Sequence, residues 1–373
     1  MKNKINNYDF LVVGSGLIGS LAAINLLQSD YRVLVVDKSN YLPKDNRTLA
    51  VNANSKDFLV KLGLWNKLKS QPEPIKKIKI KDSINNEPLL FENIDEEMGN
   101  VIINKELLIE SRKSLSKKKL LIEGVDIDIS KIKPNQKIKI KDEYYTFRKI
   151  ILSLGKNFQA EHIVKKFSFP GSHKSFVGFF EHSLVHHQVA YEIFTKDGPI
   201  AVLPAPNKSK KRSTFIYSSK KNSSHLQIQN LIRRNFSSSH GLIKFKSNIF
   251  EYNILPHISK EKFNNFILLG DTLRSIHPVA GQGWNLGIKD IQSLILLLKE
   301  NGISDPNLLK KYYGKRTLEN FSYLSFTSLI NNLYENQNLF TNSVIKIGFE
   351  VLKRSELLRK TFIKQAMGRL KLI

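Results

Sequence analysis

Apolar runs and alternations along the 373-residue chain outline its elements. Tyr8–Val13 is a short β-rich apolar run, the pattern of a buried strand. Leu17–Gln28 has helical spacing, and Arg32–Val36 is a second run of strand length. Strand, helix and strand in that order make a βαβ unit and therefore a parallel sheet. Ser55–Leu68 predicts a helix with Phe58, Leu59, Leu62 and Leu64 on one side. From Ile75 to Phe91 the alternation suggests strands of an antiparallel sheet. Lys105–Leu115 reads as a helix, and Leu120 to Leu154 as short strands ending in KIILSLG. Alternation returns from Phe176 to Tyr217 around GPIAVLPAP, with the loop NKSKKRS between two strands. Leu226–Asn235 predicts a helix, Phe266–Leu269 a buried strand and Trp284–Lys299 a helix. Nearly everything from Pro306 onward reads as helical, and no internal repeat or long disordered segment interrupts the pattern.

Composition narrows the chemistry. With no cysteine, disulfides, cysteine nucleophiles, Cys-ligated zinc and iron–sulfur clusters are excluded, and a reducing compartment fits. A formal charge of +26 brings nucleic acid into consideration. The excess comes from 47 Lys against 12 Arg, spread in short runs such as KKIKIK and SKKKL, with Asn and Ile also abundant. A codon bias toward A and T produces such a composition. A solvated lysine-rich surface is the better reading, and no nucleic-acid partner is expected. Attraction to an anionic membrane stays open. The basic start and first apolar stretch imitate a signal peptide, but that stretch holds a spaced-glycine turn and leads into YRVLVVD. No other stretch approaches the ~20 apolar residues that a membrane helix needs.

Two loops carry the candidate chemistry. GSGLIG places Gly14, Gly16 and Gly19 in G-x-G-x-x-G spacing between a strand and a helix. Gly14 permits the tight turn, Gly16 lets the backbone approach a pyrophosphate at the helix N-terminus, and Gly19 lets helix and strand pack closely. Asp37 ends the second strand, where a carboxylate would accept hydrogen bonds from an adenosine ribose. Arg47 follows shortly after and is either a phosphate partner or a surface arginine. Far downstream, GDTLRSIHPVAGQGWNLGIKD begins where FILL ends. Gly270 and Asp271 stand at the carboxyl end of that strand, and Gly281, Gly283 and Gly287 bracket the start of the next helix. Two loops of free backbone N–H groups, far apart in sequence, suit a long ligand such as FAD.

These segments resemble the flavoprotein aromatic hydroxylases of para-hydroxybenzoate-hydroxylase fold, and within them the ubiquinone-biosynthesis hydroxylases. VVGSGLIGSLAA, DNRTLAVNANSKDFLVKLGLW, AYEIFTKDGPIAVLP and LLGDTLRSIHPVAGQGWNLGIKDI carry the resemblance, which covers nearly the whole chain. It implies an α/β fold: a Rossmann-type FAD-binding domain with an inserted antiparallel-sheet substrate domain and C-terminal helices. The expected boundaries are 1–72, 100–165 and 256–305 for the first, 73–99 and 166–255 for the second, and 306–373 for the helices. By the resemblance, Gly14, Gly16, Gly19 and Asp37 hold the ADP part of FAD, and Arg47 lies near the flavin-side linkage. Gly270 and Asp271 hold the ribityl or pyrophosphate region, and Pro278, Ala280, Gly281, Gln282, Gly283 and Asn285 line the isoalloxazine. GPIAVLP covers the substrate face.

The implied reaction is hydroxylation of a polyprenylated phenol or quinol in ubiquinone synthesis. Reduced FAD meets O2, a flavin hydroperoxide delivers one oxygen, and NAD(P)H is the electron donor. Backbone amides around Gly281–Gly283 would stabilise negative charge on the flavin. His277 is the polar candidate beside it, with a structural histidine before Pro278 as the alternative. Two departures stand out. Leu154 occupies the place of the family's Asp-Gly aspartate, and Leu273 and Arg274 replace the alanine-histidine after the second loop's aspartate. They keep open a non-hydroxylating FAD-binding subunit of a biosynthetic complex, or a same-fold reductase. His182, His186 and His187 have near-ligand spacing, but no carboxylate motif completes a site and no metal is expected. The basic, amphipathic C-terminus is either a helical pair packed on the FAD domain or a membrane-surface or partner-binding element. A cytoplasmic protein, peripheral at the inner membrane face and in company with other ubiquinone-biosynthesis proteins, follows from the resemblance.

Overall fold

A computed structural model describes residues 5–40, 47–156, 158–168, 173–276 and 282–370. The chain opens with β1 (Ile5–Val13), α1 (Leu17–Leu27) and β2 (Val33–Asp37). It continues through β3 (Thr48–Asn52), α2 (Ala53–Lys61), β4 (Glu73–Ile75), β5 (Lys77–Asp82), β6 (Leu89–Glu92), β7 (Gly99–Ile103) and α3 (Asn104–Lys117). After β8 (Leu121–Glu123), β9 (Ile138–Ile140) and β10 (Glu143–Leu152), the first sheet is nearly complete. Its order is β19-β10-β1-β2-β8, with β19 at Phe266–Leu268, and every pair in that path is parallel. Only the short β9 joins antiparallel, against β10.

A parallel sheet is covered on both faces, so its strands must be apolar throughout. Phe10 to Val12 and Val33 to Val36 are buried, as are Ile150 to Leu152 and Ile267 to Leu269. Each fully buried side chain of this kind contributes about 1.5–3 kcal/mol. Helix α1 is buried continuously from Gly19 to Leu26, because α3 and α5 (Gln282–Asn301) pack on it. Such a helix needs apolar or small residues all round, which LIGSLAAINLL provides.

Between these segments the chain builds β11 (Val164–Ser168), β12 (His173–His182), β13 (Val189–Thr195), β14 (Gly198–Pro204) and β15 (Arg212–Ser219). Then come α4 (His225–His240), β16 (Ile243–Lys244), β17 (Phe250–Ile254) and β18 (His257–Glu261). The second sheet runs β16-β12-β15-β14-β13-β5-β6, with β17 also on β12. It is antiparallel except at one seam: β13 lies parallel to β5, with Val189 opposite Lys77. That seam joins the two separate insertions into the first domain. Helix α4 covers one face, packing Ile228, Ile232 and Phe236 on Phe176, Phe180, Val202 and Phe215. Two small antiparallel sheets, β3-β7-β4 and β11-β18-β20 with β20 at Arg274–Ser275, connect the layers.

The C-terminus forms α6 (Leu308–Glu335), α7 (Leu339–Arg354) and α8 (Glu356–Ala366). Helix α6 closes the exposed edge of β19: the Tyr312 hydroxyl donates to Leu268 O (2.9 Å) and the Tyr313 hydroxyl to Phe266 O (2.7 Å). Helices α7 and α8 pack on β6, around Phe91, Ile345, Phe349 and Phe362, and not on the FAD domain as one of the two readings of the C-terminus has it. Their ties to the first domain are Asn54 N–H donating to Met367 O (3.1 Å) and Arg369 paired with Asp57 (2.5 Å). Helix α2 is shorter than its pattern. Asn52 caps it, and it stops before Gly63, which has φ +68, so Trp65–Lys67 forms a separate 3₁₀ turn. Among the described residues no helix is long and apolar enough to cross a membrane.

Candidate flavin site

The first sheet has a switch point. From β1 the chain moves to β2 on one side, and later places β10 on the other. Ligands in open α/β sheets lie in the crevice outside the carboxyl ends of the strands at such a point. Asp37 ends β2, and Gly14, Lys156 and Asp271 follow the carboxyl ends of β1, β10 and β19. With strands about 4.8 Å apart, the line from β2 to β19 is roughly 14 Å long.

The glycine turn is shaped by its neighbours. Gly14 has φ +101, and a Cβ there would collide with Ser153 O on the adjoining strand. A Cβ at Gly19 would collide with Gly14 O. These two positions are glycine because the fold needs it. Gly16 differs: a Cβ there would meet nothing within 4 Å. Gly16 is the N-cap of α1 and makes no side-chain cap, so the first N–H groups of the helix face that open space. Beside it, Asp37 accepts from Ser15 N (2.5 Å), the Ser15 hydroxyl (2.7 Å) and Ser39 N (2.8 Å). The carboxylate is thus fixed against the glycine turn.

At the other end of the line, Gly270 has φ +62 and packs on Ile18. Gly287 lies against the same side chain, where a Cβ would come within 2.6 Å of Ile18 Cδ1, so it serves helix packing. Burial raises the Asp271 carboxyl above the ordinary value, against the field of Arg274, Lys156, His257 and Arg47. Burial holds the Lys156 ammonium below the ordinary lysine value. Lys156 and Arg47 both lie over the Tyr252 ring, at 5.3 and 4.6 Å from its centroid, and Lys156 also donates to Asn253 O (3.0 Å). Leu154 N–H donates to the Thr272 hydroxyl (2.6 Å), joining the loop after β10 directly to the Gly270–Asp271 turn.

A buried ionic network supports that turn. Asp290, on α5, accepts from Gly270 N (3.0 Å) and Arg274 Nη1 (2.6 Å) through one oxygen, and from Arg316 Nε (2.8 Å) through the other. Arg316 also pairs with Glu319, which pairs with Lys289 (2.8 Å). Asn285 is spent on the neighbouring strand: its Oδ1 accepts from Asn52 N (3.1 Å) and its Nδ2 donates to Ala50 O (2.9 Å). Gln282 and Gly283 begin α5, half-buried. His277, Pro278, Ala280 and Gly281 lie outside the described residues.

The histidines of the second domain form a different kind of cluster. His182 and His186 meet His240 at the end of α4, whereas His187 is exposed. His182 Nε2 is 3.0 Å from the Ser213 hydroxyl, and His186 Nδ1 accepts from Gln188 N (3.1 Å). Burial lowers all three, His186 to about 4 and His240 to about 3, so they are neutral at physiological pH. Among the described residues no group of side chains is arranged to hold a metal ion.

The family model for the FAD binding domain matches residues 7–116 and 172–321. The chain belongs to the FAD-binding-domain family. Ubiquinone hydroxylase UbiL of Rhodospirillum rubrum is 24% identical to this FAD-binding chain over 98% of it and 90% of the relative. Ubiquinone hydroxylase UbiM of Neisseria meningitidis is 24% identical over 88% of this chain and 78% of that one. The solved structure of p-nitrophenol 4-monooxygenase PnpA from Pseudomonas putida superposes with a TM-score of 0.73, covering 99% of this chain and 100% of that chain at 13% identity, and shares the fold. The open space before Gly16, the uncapped start of α1 and the fixed Asp37 all fit FAD. Sequence reading did not assign Lys156, Tyr252 or His257 to the site. Asp290 closes the GDTLRSIHPVAGQGWNLGIKD segment, but its partners Arg274 and Arg316 cannot be read from that spacing.

Proposed function

We propose that this protein is an FAD-dependent monooxygenase that hydroxylates the aromatic ring of a polyprenylated phenol or quinol in ubiquinone biosynthesis. The observation that supports it most is the row of ligand-facing groups along the carboxyl ends of β2, β1, β10 and β19, in a chain whose full-length relatives are named ubiquinone hydroxylases. Bound and reduced, FAD activates O2 so that one oxygen atom enters the ring. Gly14, Gly16 and Gly19 let the first turn of α1 receive the pyrophosphate, and Asp37 takes the ribose. Gly270 and Asp271 hold the ribityl chain, and Arg47 with Lys156 balances phosphate charge beside them. The amides of Gln282 and Gly283, with Gly281 before them, orient the ring and stabilise negative charge on it.

The second sheet supplies the wall over the substrate. On the face turned away from α4, Val177, Ile216 and Ala201 stand in register across β12, β15 and β14. Glu192 continues that row on β13 as a buried carboxylate. An apolar row of this kind excludes water from the reacting centre. NAD(P)H is the proposed electron donor. We place the protein in the cytoplasm, at the inner membrane face, where a prenylated substrate partitions and other ubiquinone-biosynthesis proteins act.

A second reading, a flavin-binding subunit that does not hydroxylate, is favoured by Leu154 standing where the family it resembles carries an aspartate. One experiment separates the two. The purified protein is mixed with NAD(P)H under argon, then given ¹⁸O₂ and a short-chain prenylated phenol. Hydroxylation predicts bleaching of the flavin band, then one labelled oxygen in the product. A flavin that NAD(P)H never bleaches, with no labelled product, supports the second reading. A colourless protein that binds no FAD overturns both.

A further inference from the structure

Helix α7 has two apolar faces. Ile345, Phe349 and Leu352 face β6 and the second sheet. Phe340, Val344, Ile347 and Val351 recur at i, i+4, i+7 and i+11, which places them along the opposite side of the helix. None of the four is buried; Phe340 is 76% exposed and Ile347 64%. The stripe is about 16 Å long at 1.5 Å per residue. Leu339 precedes it at 90% exposure, and Leu357 opens α8 at 75%. Helix α6 adds Leu318, Phe321, Phe326 and Leu329, each more than half exposed.

Charge selects the occupant. Across α7 and α8 there are six cations, Lys346, Lys353, Arg354, Arg359, Lys360 and Lys364, against two acids, Glu350 and Glu356. Arg354 ends the stripe, and exposed Lys360 follows on α8; they pair with Glu350 (3.4 Å) and Glu356 (2.6 Å), which leaves an excess of four cations on the two helices. A second copy of the chain would bring this excess against itself, in a molecule of formal charge +26. An anionic bilayer complements it, and a basic helix with an apolar stripe lies in the headgroup layer. We propose that α7, with the first turn of α8, is a docking surface for anionic phospholipid, inserting Phe340, Ile347 and Val351 shallowly between headgroups. The surface is read from the helices alone and does not rest on the chemistry assigned to the crevice.

The test is flotation of the full-length protein with vesicles of phosphatidylcholine, with and without phosphatidylglycerol. Binding is expected to the anionic vesicles, weaker in high salt. The variant Phe340→Ser/Ile347→Ser/Val351→Ser is expected to bind about tenfold less or worse, with its melting temperature and flavin spectrum unchanged. The control Leu226→Ser/Leu242→Ser, at exposed apolar positions elsewhere, binds as the unaltered protein does. Absence of flotation overturns the proposal, as does full flotation of the triple variant, which would leave charge alone as the cause. A dimer in sedimentation velocity that the triple variant dissolves assigns the stripe to a second copy instead. An unchanged flavin spectrum in every arm keeps this outcome separate from that of the catalytic reading.

Discussion

Along the parallel sheet, main-chain turns shape the crevice, at the start of α1, at Gly14 and at Gly270, with the side chains of Asp37, Lys156 and Asp271 set beside them at the strand ends. In the second domain side chains define the interior: three neutral histidines, Phe194 stacked on Tyr334 of α6 with centroids 4.7 Å apart, and the carboxylate of Glu192 in an apolar row. A main-chain site tolerates sequence change wherever the turn is kept. A side-chain site does not, because each buried polar group depends on a particular partner. The contrast implies that the first region holds a constant cofactor and that the second sets what lies over it.

Four substitutions test this contrast. The largest effect is expected at Asp290, a side-chain anchor beneath a main-chain site. Asp290→Asn leaves Arg274 and Arg316 buried without their common counter-charge, and should cost about 3–5 kcal/mol in urea unfolding. A loss under about 1 kcal/mol would show that the network is not holding the turn.

The second effect is acid sensitivity of the histidine cluster. His186 and His240 are neutral in the folded protein, with values of about 4 and about 3 against an ordinary 6.5. Their contribution is therefore complete above pH 6.5, where both folded and unfolded states are neutral. It is lost as pH falls from 6.5 through 4 and 3, because the unfolded chain takes up protons first. Each histidine adds up to about 1.4 kcal/mol of slope per pH unit. His240→Gln should flatten the acid limb of a stability–pH curve; an unchanged limb would place the titration elsewhere.

Next comes Gly19→Ala, whose Cβ meets the fixed Gly14 carbonyl. It is expected to lose about 1–3 kcal/mol of stability and flavin content together. Gly16→Ala is the smallest perturbation of the fold, because its Cβ meets no protein atom. It should leave stability of the FAD-free protein within about 0.5 kcal/mol.

Much of the first region was legible because its demands are local. Gly14, Gly16 and Gly19 lie within six residues, and Asp37 and Asp271 each end a recognisable apolar run. The second region was less so. His240 lies 54 residues from His186. Within the first region the ionic network was no more legible, because Asp290 joins residues from 270 to 316. The parallel seam between β5 and β13 unites segments more than a hundred residues apart, which alternation alone cannot reveal. The pattern overran α2 because Leu62 and Leu64 continue its apolar side past Gly63, the residue that ends it. On α7, two apolar faces read as one amphipathic stretch until β6 was seen to cover only one of them.

The central claim is that FAD lies along the strand ends with Gly16 at its closest approach. Titrating FAD-free protein with FAD and following flavin fluorescence, for the unaltered chain and Gly16→Ala, tests this directly. The unaltered chain is expected to bind one-to-one and saturably, and Gly16→Ala about tenfold more weakly or worse at equal stability, since each factor of ten is about 1.4 kcal/mol. Equal affinity in the two proteins, or no binding by the unaltered chain, would contradict it.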